Sequence, residues 1–195
     1  MSTEPIFDRD GIRAIVVGPV VVAHYHGPVV VDALREFVAL RRTWAEVAPA
    51  TLSIISASTP RPPPDVVAAI YDLARSSHPA IVCEAAVIQA GGPFVVAGRA
   101  IIDTLFSRIR PTPSRLFSRV SDAAHYVSDA LARPGFGSVL ELAVAYLESV
   151  ATGNDKGSGA PSQSGVRFLD RAVGGHEAAP SWPPGSSEAS SRKAR

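Results

Sequence analysis

A single cysteine, Cys83, excludes an intrachain disulfide framework, and it stands inside an apolar run. That usage agrees with a reducing compartment, so a cytoplasmic protein is expected. Excess charge is missing as well. A formal net charge of +1 leaves no whole-molecule field to draw the chain to nucleic acid or to a membrane surface. Long hydrophobic runs are also absent. The densest, 12–23, is interrupted by Arg13, Gly18 and Pro19. It falls short of the roughly 20 apolar residues that span a bilayer. The first ten residues hold Glu4, Asp8 and Asp10 with no apolar stretch behind a basic cap, so no signal peptide is expected. Lysine occurs twice, at Lys156 and Lys193, and the thirteen basic residues before them are all arginine.

What is present suffices for a core. Hydrophobic residues make up 46% of the chain and charged ones 19%, ordinary globular usage. The composition shifts at Thr152. From there to Arg195, 44 residues include seven Gly, four Pro and eight Ser, too little apolar surface to offset the entropy of ordering the backbone. The expected organisation is one α/β domain over 1–151 and a disordered Gly/Ser/Pro-rich tail over 152–195.

Within the domain, strand and helix signals alternate. Residues 6–8 read as a short edge strand before an Asp10-Gly11 turn. The β-branched runs 12–17 and 20–25 are either one strand broken at Gly18-Pro19 or a hairpin. A helix is predicted from Pro28 to about Val47, with Ala33, Phe37, Leu40, Trp44 and Val47 as its apolar stripe. A strand follows over 51–57, then a proline-rich loop at 60–64 and a helix over 65–76 with Val66, Ile70 and Leu73 inward. Residues 80–88 read as a buried strand. A helix over 94–109, a strand over 114–118, a helix capped by Ser121 and a last helix over 138–151 complete the order. Strands separated by helices imply parallel pairing with right-handed crossovers. The fold class expected is therefore α/β, with a mixed, mostly parallel sheet of four to five strands packed by helices. The final helix should bury Leu140, Ala143, Val144, Leu147 and Val150 against the domain or in a homodimer.

Toward the end of the domain, Arg115-Leu116-Phe117-Ser118-Arg119-Val120-Ser121-Asp122-Ala123-Ala124-His125-Tyr126-Val127 looks like the last strand and following helix start of a STAS domain (sulfate transporter and anti-sigma-factor antagonist). The element order over 6–133 resembles that family too. The resemblance implies a small sheet-based interaction module. In STAS antagonists a D-S-S-G-type turn carries a phosphorylated serine. The corresponding stretch here, Ser56-Ala57-Ser58-Thr59-Pro60-Arg61-Pro62-Pro63-Pro64, has hydroxyls but neither Asp nor Gly, so the phosphorylated position is not carried over to any residue.

Candidate sites each have a functional and a plain structural reading. His24 and His26, two apart on a strand, project from one face; they are half of a metal site or a polar strand-end rim, and no third ligand is nearby. Glu84 is mid-strand on the face of Val82 and Ala86, either an acid with raised pKa facing a cleft or a partner of an arginine. Gly91 and Gly92, before Pro93, offer backbone N–H groups at a helix start, yet the spacing to Gly98 and the absence of a lysine do not match a Walker A loop. Arg99, Arg108, Arg110, Arg115 and Arg119 lie within 21 residues that hold one acid, Asp103. They form a solvated face or a patch for a phosphate-rich or acidic partner. Phe106 and Phe117 fit core positions, so no stacking platform for nucleic acid is expected.

No nucleophile elbow and no carboxylate pair at catalytic spacing appears, and neither a cofactor nor a metal is expected. The sequence points first to a non-catalytic protein-interaction or regulatory module in bacterial intracellular signalling, with a protein partner. Its alternatives are a small-ligand or anion-binding protein and a small enzyme built on Glu84 and the histidines.

Overall fold

A computed structural model describes residues 4–75, 78–89 and 112–152. The expected helix over 94–109, with Gly91, Gly92, Arg99, Arg108 and Arg110, lies outside the described residues, as does the tail from residue 153 onward. Among the described residues six strands form one sheet in chain order: β1 (Phe7–Arg9), β2 (Ile12–Val17), β3 (Val20–Tyr25), β4 (Ala50–Ile55), β5 (Cys83–Ile88) and β6 (Ser114–Phe117). β1–β2 and β2–β3 pair antiparallel, and β3–β4, β4–β5 and β5–β6 pair parallel. The α/β class and the mostly parallel pairing agree with the sequence. The strand count exceeds four to five, because three-residue β1 pairs with β2 as a full edge strand.

Turn chemistry sets this part of the sheet. Asp10 and Gly11 both take positive φ (45° and 79°), the two-residue hairpin conformation in which Asn-Gly and Asp-Gly are favoured. A Cβ on Gly11 would lie 2.8 Å from the Pro28 carbonyl oxygen, so the position has no room for a side chain. Gly18 (φ 55°) and Pro19 form the second hairpin turn, which settles the alternative of a single broken strand.

Four helices accompany the sheet among the described residues: α1 (Val31–Thr43), α2 (Pro64–Arg75), α3 (Val120–Ala130) and α4 (Phe136–Ala151). Strands β3 to β6 step across the sheet in one direction, so right-handed crossovers place α1 and α2 on a common face. There Ala33, Leu34 and Phe37 of α1 and Val66 and Ala69 of α2 meet Phe7, Ile12, Ala14, Val21 and Ala23. On the other face α3 and α4 cover Ile15, Val17, Val22, Leu52, Ile54 and Val87. Leu140, Ala143, Val144 and Leu147 are buried there, as the periodicity of the last helix predicts, and Val150 is half-buried.

Several boundaries differ from the sequence reading. α1 starts at Val31, because residues 28–30 stay extended beside the Asp10-Gly11 turn, with Val30 at φ −104° and ψ 153°. It ends at Thr43; Trp44 closes a turn on the Arg41 carbonyl, and Val47 is 67% exposed rather than part of the stripe. β5 starts at Cys83, not at residue 80, since Ala80 and Ile81 are turned back onto the His78 ring and carbonyl. Ser121 does not cap α3. Arg119, extended at φ −129° and ψ 141°, is the N-cap, and Ser121 lies in the first turn.

Candidate functional site

At the carboxyl end of β3 a polar group enters the otherwise apolar α3/α4 face. Strand alternation sends His24 to the side of Val20 and Val22, and the hairpin register sets it opposite Arg13 of β2 and beside Ile54 of β4. His24 is 3% exposed, which corrects the reading of a strand-end rim for this residue; His26 is half-buried. Their rings lie edge to face with centroids 5.5 Å apart. Arg13 donates from one terminal nitrogen to Asp8 Oδ2 at 2.5 Å, across the β1–β2 pair. Its Nε, both ring nitrogens of His24 and Nδ1 of His26 are buried without a hydrogen-bond partner among the described residues. Burial, then the neighbouring His26 and Arg13, hold His24 far below its ordinary value, at about 4. Burial and Arg13 lower His26 too, against a smaller opposing effect of Asp8. Both imidazoles are therefore neutral at pH 7. No group of three His, Cys, Asp or Glu side chains is placed to hold a metal ion among the described residues.

Next to this group runs the loop from β4 to α2. Thr59 Oγ1 donates to the Tyr25 carbonyl at 2.7 Å, and the Ser56 N–H reaches the same oxygen at 3.0 Å. The Ser58 N–H is bound by Ser56 Oγ at 3.2 Å, a serine turn, and Ser58 Oγ lies 3.5 Å from the His26 carbonyl. Ala57, Ser58 and the whole run 60–64 are exposed. The loop is thus tied to β3 at its base and presents a stiff proline segment at its tip.

Glu84 occupies the opposite face of the sheet. In register it lies between Thr51 and Ser114, and Ser114 Oγ is 3.4 Å from its Oε2. The carboxylate is half-buried, on the α1/α2 side. Close by, Arg41 of α1 is 5% exposed; its Nε donates to Thr51 Oγ1 at 2.8 Å and a terminal nitrogen to the Ala50 carbonyl at 3.3 Å. Burial lowers the guanidinium to about 10 and raises the buried Cys83 thiol to about 11, so Cys83 stays protonated. His24 aligns with Ile54 and Val87, whereas Glu84 aligns with Thr51, so the sheet itself separates the two. An active centre combining Glu84 with the histidines is not formed.

Arg115, on edge strand β6, is exposed and lies with its guanidinium 5.3 Å from the Tyr126 ring centre, a cation–π contact. Phe117 packs on the same ring at 5.4 Å. Two strands, β4 and β5, thus lie between Arg115 and His24, and Arg99, Arg108 and Arg110 lie outside the described residues.

Arg13, Asp8 and Arg41 are the residues that sequence reasoning missed. The first two were signalled: counting back from a two-residue turn at Gly18-Pro19 pairs Arg13 with His24. No helix among the described residues is long and apolar enough to cross a membrane. Family models, curated proteins and solved structures all give no match to this chain.

Proposed function

We propose that the protein is a non-catalytic regulatory module of bacterial intracellular signalling, working in the cytoplasm, that meets a protein partner with the loop between β4 and α2. The observation that carries this reading is that loop's construction. Thr59 and Ser56 tie its base to the Tyr25 carbonyl, and the residues from Pro60 to Pro64 are all exposed. Proline restricts the backbone before any partner arrives, so contact there loses less conformational entropy than contact with a flexible loop. The resemblance to STAS domains supports the same edge of the sheet, because in that family the corresponding turn is the regulated one. Here the hydroxyls of Ser56, Ser58 and Thr59 serve as internal ties as well as surface groups.

The test compares the wild-type chain with a variant in which Arg61, Pro62 and Pro63 are replaced by Gly-Ser-Gly. Both are immobilised in parallel, and the proteins they retain from lysate are quantified by mass spectrometry after the variant is shown to melt like the parent. A partner held by the wild type and lost by the variant, then reproduced with purified components, supports the reading. Identical retention by the two chains overturns it.

A further inference from the structure

We propose that Arg13, His24 and His26 form a binding site for a small oxyanion, a carboxylate or phosphate, at the carboxyl end of β3. Buried polar atoms in native proteins are nearly always hydrogen-bonded, and groups left without partners call for an explanation. Here four such nitrogens belong to three side chains that the β2–β3 register and ring contact bring together. His24 is only 3% exposed, and both of its ring nitrogens are unpartnered among the described residues, so it is not a solvated surface histidine.

The donor inventory selects the ligand. Arg13 Nε–H is a permanent donor, and each neutral imidazole supplies one N–H. Several donors grouped around one positive charge match an acceptor with more than one oxygen and a negative charge. A metal cation would face the Arg13 guanidinium and would find only two imidazoles, with no third ligand among the described residues. Asp8 takes a terminal nitrogen of Arg13 from the outer side, at 2.5 Å, and leaves Nε directed elsewhere. Arg13 and Asp8 are 21% and 40% exposed in their side chains and His26 is half-buried, so an entry path runs past these residues rather than through the core.

Charge linkage supports the same assignment. The charged or titratable groups acting on His24 are His26 and Arg13 of β2, and those acting on His26 are Arg13 and, in the opposite direction, Asp8 of β1. On α4, Glu148 at the same edge is engaged by the Gln89 side chain. Arg13 and burial keep the imidazoles neutral, and an anion seated against them reverses that effect, so binding takes up protons. The affinity therefore rises as pH falls from about 6 toward the value of about 4 at which His24 takes up its proton without the anion.

The test uses the full-length protein with isotope-labelled histidine. Its imidazole resonances are followed while inorganic phosphate or acetate is added at constant ionic strength, with chloride as the control. Saturable shifts of both rings are expected, stronger at pH 5 than at pH 7, with the His24 midpoint moved upward from about 4 by about one pH unit. Response to phosphate alone assigns a phosphate site, and response to acetate alone a carboxylate site. Arg13→Gln should weaken binding by about 10-fold or more, the loss of a charge-assisted hydrogen bond. Arg13→Lys, which keeps the charge, is the second variant should the first misfold, and it should also bind more weakly. Absence of saturable shifts with both anions overturns the proposal, as does an affinity that neither Arg13 variant changes.

Discussion

Replacing His24 by Phe should make the protein more stable and less sensitive to acid. His24 is 3% exposed and neither ring nitrogen has a partner among the described residues. An unsatisfied buried polar group costs roughly 1–3 kcal/mol, so an apolar ring of similar shape should gain about 2 kcal/mol at pH 7. A second contribution depends on pH. The folded protein holds His24 at about 4, below the ordinary value of 6.5, so on acidification the unfolded chain takes up the proton first. The stability associated with neutral His24 is therefore complete above pH 6.5 and is lost as pH falls toward 4. With 1.36 kcal/mol for each pH unit between the two values, the loss reaches about 3 kcal/mol at pH 4. Urea unfolding of both proteins between pH 4 and pH 8 measures it. The gap between variant and wild type should widen toward acid, and His26, lowered in the same direction, continues to destabilise both chains. A variant that is less stable than the parent at pH 7, with a difference that does not change with pH, would refute the reasoning. His24→Leu guards against a misleading loss from the larger ring of phenylalanine.

Other expectations concern the framework. Ala132 takes φ 51° at the end of α3, where the N–H groups of Arg133 and Ala132 bond the Ser128 and Asp129 carbonyls in the pattern that normally ends on glycine. Ala132→Gly should therefore raise stability by about 0.5–1 kcal/mol in thermal or urea melts, and a decrease would count against that backbone. Leu147 on α4 is fully buried against the sheet, so Leu147→Ala should cost about 2–5 kcal/mol; a cost below that range would place the helix in solvent. Thr51→Val strips the Arg41 Nε of its acceptor and should cost about 1–3 kcal/mol. In an Arg41→Met background the same change should cost much less, and equal costs in the two backgrounds would show that the buried hydrogen bond contributes nothing.

How far the sequence reveals such a site depends on what joins the strands. β2 and β3 are connected by two residues, and a turn that short has one register. Once Gly18-Pro19 is taken as a hairpin, Arg13 must face His24 and Ala14 must face Ala23. Alternation then sends both polar side chains to the face of Val17 and Val22, so most of the Arg13–His24–His26 group was legible in the chain. Glu84 is different. Its parity along β5 was readable, and the sequence correctly set it on the face of Ala86, although Val82 precedes the strand. Which face of the whole sheet that parity meant was not readable, because β4 and β5 are joined through α2, and the crossover leaves their register to the packing of a helix rather than to turn chemistry. The same reasoning explains Arg41. The stripe of α1 was sought among apolar residues, yet Arg41 lies one turn beyond Phe37 on the same side and is buried with it. Its long stem packs as an aliphatic chain, and its charged end reaches Thr51, a residue known to be nearby only after β4 is docked on β3. Chemistry held within a hairpin can therefore be read from one sequence, whereas chemistry assembled across a helical crossover needs the packed sheet. This is why the polar group at the end of β3, and not the carboxylate on β5, is the site that the chain itself announces.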